Sequence, residues 1–151
     1  MESRRTPAGG TPALPRRPGL PAAYVDSSCL VAVLLGEPTV AEIGRVLASS
    51  GRLIASNVLE AEVCSAARRE GVTLAMPGIF QDLLWVLPGR PLGAEIDMVL
   101  GVGYLRGADL WHVARALYVR ADVPELEFFT LDGPQRAVAT ELEFPAPVLI
   151  G

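Results

Sequence analysis

The sequence predicts an α/β fold, with a mainly parallel central sheet of about four to five strands and helices on both faces. The length of 151 residues indicates one domain, and half of the residues are hydrophobic, which is enough to build a sizeable core. Short apolar runs alternate along the chain with segments in which apolar residues recur at helical spacing. This strand–helix alternation is typical of a parallel sheet covered by helices.

The first half of the domain contains two predicted strands and three predicted helices. Ser27 and Ser28 have side chains suited to capping a helix that follows the first strand, and Gly71 is a typical helix C-terminal residue. The predicted elements are a strand at 22–26, a helix at 29–35, a helix from Pro38 that stops at Gly51, a strand at 53–56 and a helix at 57–70.

The second half continues the same alternation. A helix at 108–120 would turn Leu110, Val113, Ala114 and Leu117 inward. The predicted elements are a short helix within 74–84 interrupted near Pro77, a strand at 84–88, helices at 91–100 and 108–120, a strand at 127–131, a helix at 135–141 and a last short strand at 147–150.

Composition restricts the classes of function. Residues 1–21 are rich in Pro, Gly, Ala and Arg and predict a disordered tail, while residues 22–151 form the domain. The tail is either passive, which we favour, or a basic arm that touches RNA. Without it the chain has 9 arginines, no lysine and 16 acidic residues, a net charge of −7. Such an acidic body is a poor general binder of nucleic acid, so any polyanion must meet local arginines and bound metal.

The sequence also predicts a cytoplasmic protein that does not enter a membrane. No apolar stretch reaches the roughly 18–20 residues that span a bilayer, and no hydrophobic segment of a secretory signal is present. Cys29 and Cys64 fall in helical patterns and are expected to be free thiols in a reducing compartment. One histidine and two separated cysteines are too few for a zinc site.

Four acidic residues are the best indication of chemistry. Asp26 ends the first strand, Glu62 lies in the third helix, Asp109 begins a later helix, and Asp132 follows the fourth strand. Each has a simpler explanation, because Asp26 and Asp109 could be helix caps, Asp132 could belong to an Asp-Gly turn, and Glu62 could be exposed. Capping does not explain Glu62, however, which has small or apolar neighbours. Carboxyl ends of parallel strands share one edge of the sheet, so the four acids are expected to converge there on a divalent cation.

These residues resemble a PIN-domain ribonuclease, of the VapC toxin type found in VapBC toxin–antitoxin pairs. The resemblance covers about residues 22–150, and the block at 105–117 is its most specific part. The tail has no counterpart, and residues 74–103 fit loosely. The matching stretches are 24–28 (Tyr-Val-Asp-Ser-Ser), Ser56 with Glu62 and 65–69, Leu105 and Arg106 with Asp109, His112, Ala114, Ala116 and Leu117, and Phe129 and Thr130 with Asp132.

The resemblance implies a three-layer PIN-like fold and a Mg²⁺- or Mn²⁺-dependent endoribonuclease. It also implies a cognate antitoxin that blocks the site, and a homodimer. The catalytic, metal-binding acids would be Asp26, Glu62, Asp109 and Asp132. Supporting residues would be Ser28 and Thr130, and His112 would occupy a frequent but non-essential position.

The reaction expected from these residues is metal-assisted hydrolysis of an RNA phosphodiester bond. Arg68, Arg69 and Arg106 are candidates to hold phosphate oxygens, and repulsion among the acids should raise the pKa of at least one of them in the metal-free protein. Alternatives are a non-catalytic PIN-like binding module and a nuclease that acts on DNA. A dehalogenase-like phosphatase is disfavoured, because its second aspartate would fall at Ser28 and it would need a lysine.

Overall fold

Four parallel strands form the central sheet of the computed structural model, which describes residues 19–73 and 81–147. The strand order is β3-β2-β1-β4, and every neighbouring pair is parallel. The predicted α/β fold with a parallel sheet is therefore confirmed. The described elements are β1 (Ala22–Val25), α1 (Ser27–Leu35), α2 (Val40–Ser49), β2 (Arg52–Ser56), α3 (Val58–Glu70), β3 (Leu83–Val86), α4 (Gly93–Val102), α5 (Gly107–Arg120), β4 (Glu127–Phe129) and α6 (Gly133–Glu141).

Strand β1 lies in the middle of the sheet because its side chains are apolar on both faces. Ala23, Tyr24 and Val25 are each fully buried. Tyr24 is in register with Ile54 of β2 and Phe128 of β4. Since the strands are parallel and in register, the residues that follow β1 and β4 emerge side by side at the carboxyl edge of the sheet.

Helices cover both faces of this sheet and give it three layers. Tyr24 and Phe128 point to one face, where they pack with apolar residues of α4, α5 and α6. Val25 and Phe129 point to the other face, where they pack with α1 and α2. On that same face, α3 packs through Leu59 and Val63 against α1 and the strands β2 and β3. The alternation of side chains along each strand therefore divides the core into two halves.

Several boundaries differ from the sequence predictions. Helix α1 begins at Ser27, so Ser27 and Ser28 are helical residues and not caps; Asp26 takes the N-cap position without a side-chain capping bond. The serine hydroxyls bind other groups of the site, as described below. Strand β3 covers Leu83–Val86, and β4 ends at Phe129, two residues earlier than predicted. The predicted stop at Gly71 is confirmed, because this glycine has a left-handed backbone with φ 68°.

Parts of three predictions lie outside the described residues. These are the disordered tail for residues 1–18, the short helix for residues 74–80, and the last strand for residues 148–150. Within the described ranges, none of the helices has the length and apolar character needed to cross a bilayer.

Candidate active site

Asp26 is the most deeply placed of the four predicted acids. It follows β1 and is fully buried. Its Oδ1 accepts a hydrogen bond from Ser28 at 2.6 Å, and its Oδ2 accepts from Thr130 at 2.6 Å and from the side-chain amide of Gln135 at 3.0 Å. Burial raises the pKa of Asp26, although the hydroxyl bonds act in the opposite direction. Three side-chain donors therefore hold the Asp26 carboxylate in place at the carboxyl edge of the sheet.

The two hydroxyls predicted to support Asp26 also fix the loop after β4. Ser28 Oγ accepts from the backbone N–H of Leu131 at 2.8 Å, and Thr130 Oγ1 accepts from that of Asp132 at 3.0 Å. The two hydroxyl oxygens are 3.3 Å apart. Because each hydroxyl both donates to Asp26 and accepts from the backbone, the ends of β1 and β4 are held as one unit.

Glu62 reaches the same edge of the sheet from helix α3. Its Oε2 accepts a short hydrogen bond from Ser27, and its Oε1 lies 2.7 Å from His112 Nε2. Burial alone would raise the pKa of Glu62, but the bonds from His112 and Ser27 outweigh it and lower the pKa. Glu60, on the same helix, is exposed. Helical spacing therefore directs Glu62, and not Glu60, into the site.

His112 links Glu62 to the core of the domain. It is fully buried, and its Nδ1 lies 3.0 Å from the hydroxyl of Tyr24. The ionised carboxylate of Glu62 can only accept, so Nε2 carries a hydrogen and donates to it. When Nε2 is the ring nitrogen that carries the hydrogen, Nδ1 accepts from the Tyr24 hydroxyl. The result is a chain of hydrogen bonds, Tyr24–His112–Glu62–Ser27, that runs from β1 through α5 and α3 to α1.

Asp109 lies in the first turn of α5 and is partly buried. Its Oδ1 accepts from the side-chain amide of Gln135 at 3.0 Å. Burial is the largest cause of its raised pKa, followed by the charges of Asp132 and Glu62, while Arg106 acts in the opposite direction. Repulsion among the acids therefore contributes, as predicted, but it is secondary to burial.

Asp132 caps helix α6, whereas the simpler role that the sequence suggested for it was an Asp-Gly turn. Its Oδ1 accepts from the backbone N–H of Gln135 at 2.8 Å at the start of α6. The side chain is partly exposed. Its charge nevertheless raises the pKa of Asp109, which indicates that the two carboxylates are close enough to repel. Capping and membership of the acidic group are thus compatible.

Gln135 is the site residue that sequence reasoning missed. It is 2% exposed, and its Nε2 donates both to Asp26 and to Asp109. One amide group therefore joins two carboxylates that are 83 positions apart in the chain. The available signal was a polar side chain in the first turn of the helix after β4, three residues after Asp132.

A second polar cluster flanks the site at the end of β2. Trp111 donates from Nε1 to Ser56 Oγ at 3.2 Å, and the fully buried Arg115 donates from Nη2 to Asn57 at 3.3 Å. The guanidinium of Arg115 also lies over the Trp111 ring, 5.4 Å from its centroid. This cluster fixes helix α5 against the end of β2, and with it the positions of Asp109 and His112.

The three arginines predicted to contact phosphate lie at the surface. Arg68 and Arg69 are exposed near the end of α3, and Arg69 forms an ion pair with Glu70 at 2.8 Å. Arg106 is exposed at the start of α5, close enough for its charge to lower the pKa of Asp109. Of these three arginines, Arg106 is the one whose charge lowers the pKa of Asp109.

The structure thus joins three of the four acids through Gln135, and Glu62 is held separately. Asp26 and Asp109 share the Gln135 amide, Asp132 binds the Gln135 backbone, and Glu62 is held by Ser27 and His112. In this arrangement no three His, Cys, Asp or Glu side chains among residues 19–73 and 81–147 are positioned to hold a metal ion together. The donor set consists of oxygens, which suits Mg²⁺ or Mn²⁺, and Gln135 Oε1 is a buried acceptor that has no partner in the described part of the chain. The donors are therefore of the chemical type that a hard divalent cation takes, although no three of the acids are brought together to share one in the described arrangement.

Comparison with protein-family models and with curated proteins finds no match for this chain. The family resemblance therefore rests on the residue pattern alone and stays a prediction.

Proposed function

We propose that the protein is a divalent-metal-dependent endoribonuclease and the toxin component of a toxin–antitoxin pair. The observation that carries the proposal is the group formed by Asp26, Glu62, Asp109 and Asp132 at the carboxyl edge of the sheet. A ligand crevice is expected at this edge in parallel α/β folds. Buried or partly buried acids that repel one another are stable only with donors or a cation nearby.

In this proposal the four carboxylates hold one or two Mg²⁺ or Mn²⁺ ions. A bound ion would supply an activated water and would neutralise negative charge on the phosphodiester. The chain itself contributes orientation. Ser28 and Thr130 fix both oxygens of Asp26, and the Tyr24–His112 pair fixes Glu62. No side-chain nucleophile is required for this chemistry.

The acidic charge of the domain counts against general binding of RNA, so the proposal depends on cations at the site. The domain has a net charge of −7, so it attracts RNA only where cations are concentrated. Arg106 stands beside Asp109, and Arg68 and Arg69 stand on the helix that carries Glu62. An RNA phosphate that enters the site would meet the bound metal, and Arg106 is the exposed arginine whose charge reaches Asp109.

We propose that the protein acts in the cytoplasm, forms a homodimer and binds a cognate antitoxin. Exposed apolar side chains support association with another protein surface. Met98, Leu100, Val102 and Tyr104 lie within seven positions on α4 and the loop after it, and Tyr104 is 84% exposed. Met98 and Val102 are four positions apart and share one face of α4, and neighbouring exposed apolar side chains are typical of protein contact sites.

The test is cleavage of total RNA by the purified protein with Mg²⁺, with Mn²⁺ and with EDTA. We expect cleavage only with a divalent cation. Asp26→Asn and Glu62→Gln should each reduce the rate on the order of 10²-fold or more, because each removes a charge at the cation. Glu60→Gln is the matched control on the same helix and should leave the rate unchanged, since Glu60 is exposed.

The alternatives give different results in the same assay. Cleavage of DNA but not RNA would assign the nuclease to DNA. RNA binding that survives in EDTA without any cleavage would indicate a non-catalytic binding module. Full activity of Asp26→Asn would refute the assignment of the site. Expression of the chain without a partner should slow growth if the protein is a toxin.

A further inference from the structure

In the side-chain amide of Gln135, the NH₂ group donates two hydrogen bonds, whereas the carbonyl oxygen has no partner among the described residues. Its Nε2 lies 3.0 Å from Asp26 Oδ2 and 3.0 Å from Asp109 Oδ1. Its Oε1 is buried and has no hydrogen-bond partner within the described residues. Buried polar atoms are nearly always paired, so an unpaired carbonyl oxygen beside two carboxylates requires an explanation.

The orientation of this amide follows from the charges around it. Two carboxylates can only accept hydrogen bonds, so without a cation the NH₂ end must face them. The two ends of an amide have almost the same shape, and a half-turn about the last side-chain torsion exchanges them. A cation beside Asp26 and Asp109 would repel the NH₂ end and attract the oxygen. The favourable orientation therefore reverses when a cation binds.

The spacing around Nε2 is that of ordinary hydrogen bonds and is also compatible with the spacing of ligands around a cation. Mg²⁺ binds oxygens at about 2.0–2.1 Å in octahedral geometry, which places adjacent ligand atoms about 3.0 Å apart. The Gln135 Nε2 position is 3.0 Å from both carboxylate oxygens. An oxygen at that position would be about as far from each carboxylate oxygen as two ligand oxygens of one cation are from each other.

We propose that Gln135 is a metal ligand of this site through Oε1, and that its amide turns over when the cation binds. The inference rests on the proposed function, because that function requires the cation. It assigns Gln135 two states: a donor that stabilises two carboxylates without metal, and a neutral oxygen ligand with metal. It also explains why Oε1 is kept buried without a partner.

The experiment measures Mn²⁺ binding to the full chain without RNA, by electron paramagnetic resonance and by titration calorimetry. Gln135→Leu should weaken Mn²⁺ binding about 10- to 100-fold, the usual effect of losing a group that supports a metal site. Gln135→Glu retains the oxygen and adds a charge, so it should bind Mn²⁺ more tightly than wild type. Gln81→Leu is the matched control, since Gln81 is exposed and is the other glutamine of the chain.

Thermal unfolding in EDTA supplies a second measurement. Both Gln135 variants should unfold at lower temperature than wild type in EDTA, because Asp26 and Asp109 lose their shared donor. Mn²⁺ should restore the melting temperature of Gln135→Glu to that of wild type or above. If Gln135→Leu does not fold, Gln135→Glu alone decides, and unchanged or weaker Mn²⁺ binding by that variant overturns the inference.

The outcomes separate this inference from the proposed function. If wild type binds no divalent cation, both fail. If wild type binds Mn²⁺ and Gln135→Leu binds it equally or more tightly, only the role of Gln135 is refuted. If the variants behave as expected but RNA is not cleaved, the metal ligand stands and the ribonuclease proposal falls.

Discussion

The hydrogen bond between Tyr24 and His112 gives the sharpest prediction about stability. Both side chains are fully buried, and the hydroxyl lies 3.0 Å from Nδ1. Replacing His112 by Leu leaves the Tyr24 hydroxyl without this partner inside the core, at a cost of about 1–3 kcal/mol. Losing the bond to Glu62 adds about 1 kcal/mol, less than for a fully buried pair, because that carboxylate is 27% exposed.

The free energy of unfolding should therefore fall by about 3 kcal/mol in His112→Leu, which corresponds to a lower melting temperature by about 6–12 °C. Tyr24→Phe removes the hydroxyl and leaves Nδ1 unpaired, so it should cost about 1–3 kcal/mol. The double variant has neither orphaned group. It should be more stable than the sum of the single changes predicts, by about 1–2 kcal/mol.

Urea unfolding of wild type, both single variants and the double variant measures this coupling. Tyr104→Phe is the control for removing a hydroxyl, and it should stay within about 0.5 kcal/mol of wild type, because Tyr104 is exposed. Additive effects, with a coupling below about 0.5 kcal/mol, would refute the hydrogen-bonded chain that holds Glu62.

Three further predictions follow from the site and from helix packing. In EDTA, Asp26→Asn should stabilise the protein at neutral pH, because burial raises the pKa of Asp26 and folding therefore favours its protonated form. The variant should lose this advantage as the pH falls toward 3.8. Melting temperatures measured across this pH range test the prediction. Saturation with Mg²⁺ at about 100 times its dissociation constant should stabilise wild type by about 2.7 kcal/mol in calorimetry, and Asp109→Asn should lose most of that gain. Gly103→Ala should destabilise the fold by about 1–3 kcal/mol in urea unfolding, because the new Cβ would lie 2.9 Å from a valine methyl of α6. Gly101→Ala is the comparison: its Cβ meets open space in helix α4, so it should stabilise the fold by about 0.5–1 kcal/mol.

The sequence was sufficient for the fold because periodicity and apolar runs determine which segments pack together. Strand β1 was found from its short apolar run, and the glycine stop at Gly71 from its position after a periodic segment. Boundaries were less predictable. Ser27 and Ser28 have capping side chains, but long-range partners in Glu62 and Asp26 take those hydroxyls, and such partners are invisible in a local pattern.

The positions of the four acids in the candidate site were predictable from the sequence to a similar extent. Parallel topology places Asp26 and Asp132 at one edge, and helical spacing selects Glu62 over Glu60. What could not be predicted was how each acid is held. Gln135 has no motif of its own, and its role depends on two carboxylates that only tertiary structure brings to one amide.

The position of β4 beside β1 has a consequence for synthesis of the chain. Val25 and Phe129 are neighbours in the sheet but are separated by 104 positions. At about 5–20 residues per second, a ribosome needs about 5–20 s to add that length. Throughout this interval the nascent chain lacks Asp132 and Gln135, so the acidic site stays incomplete until the helix that follows β4 has left the exit tunnel.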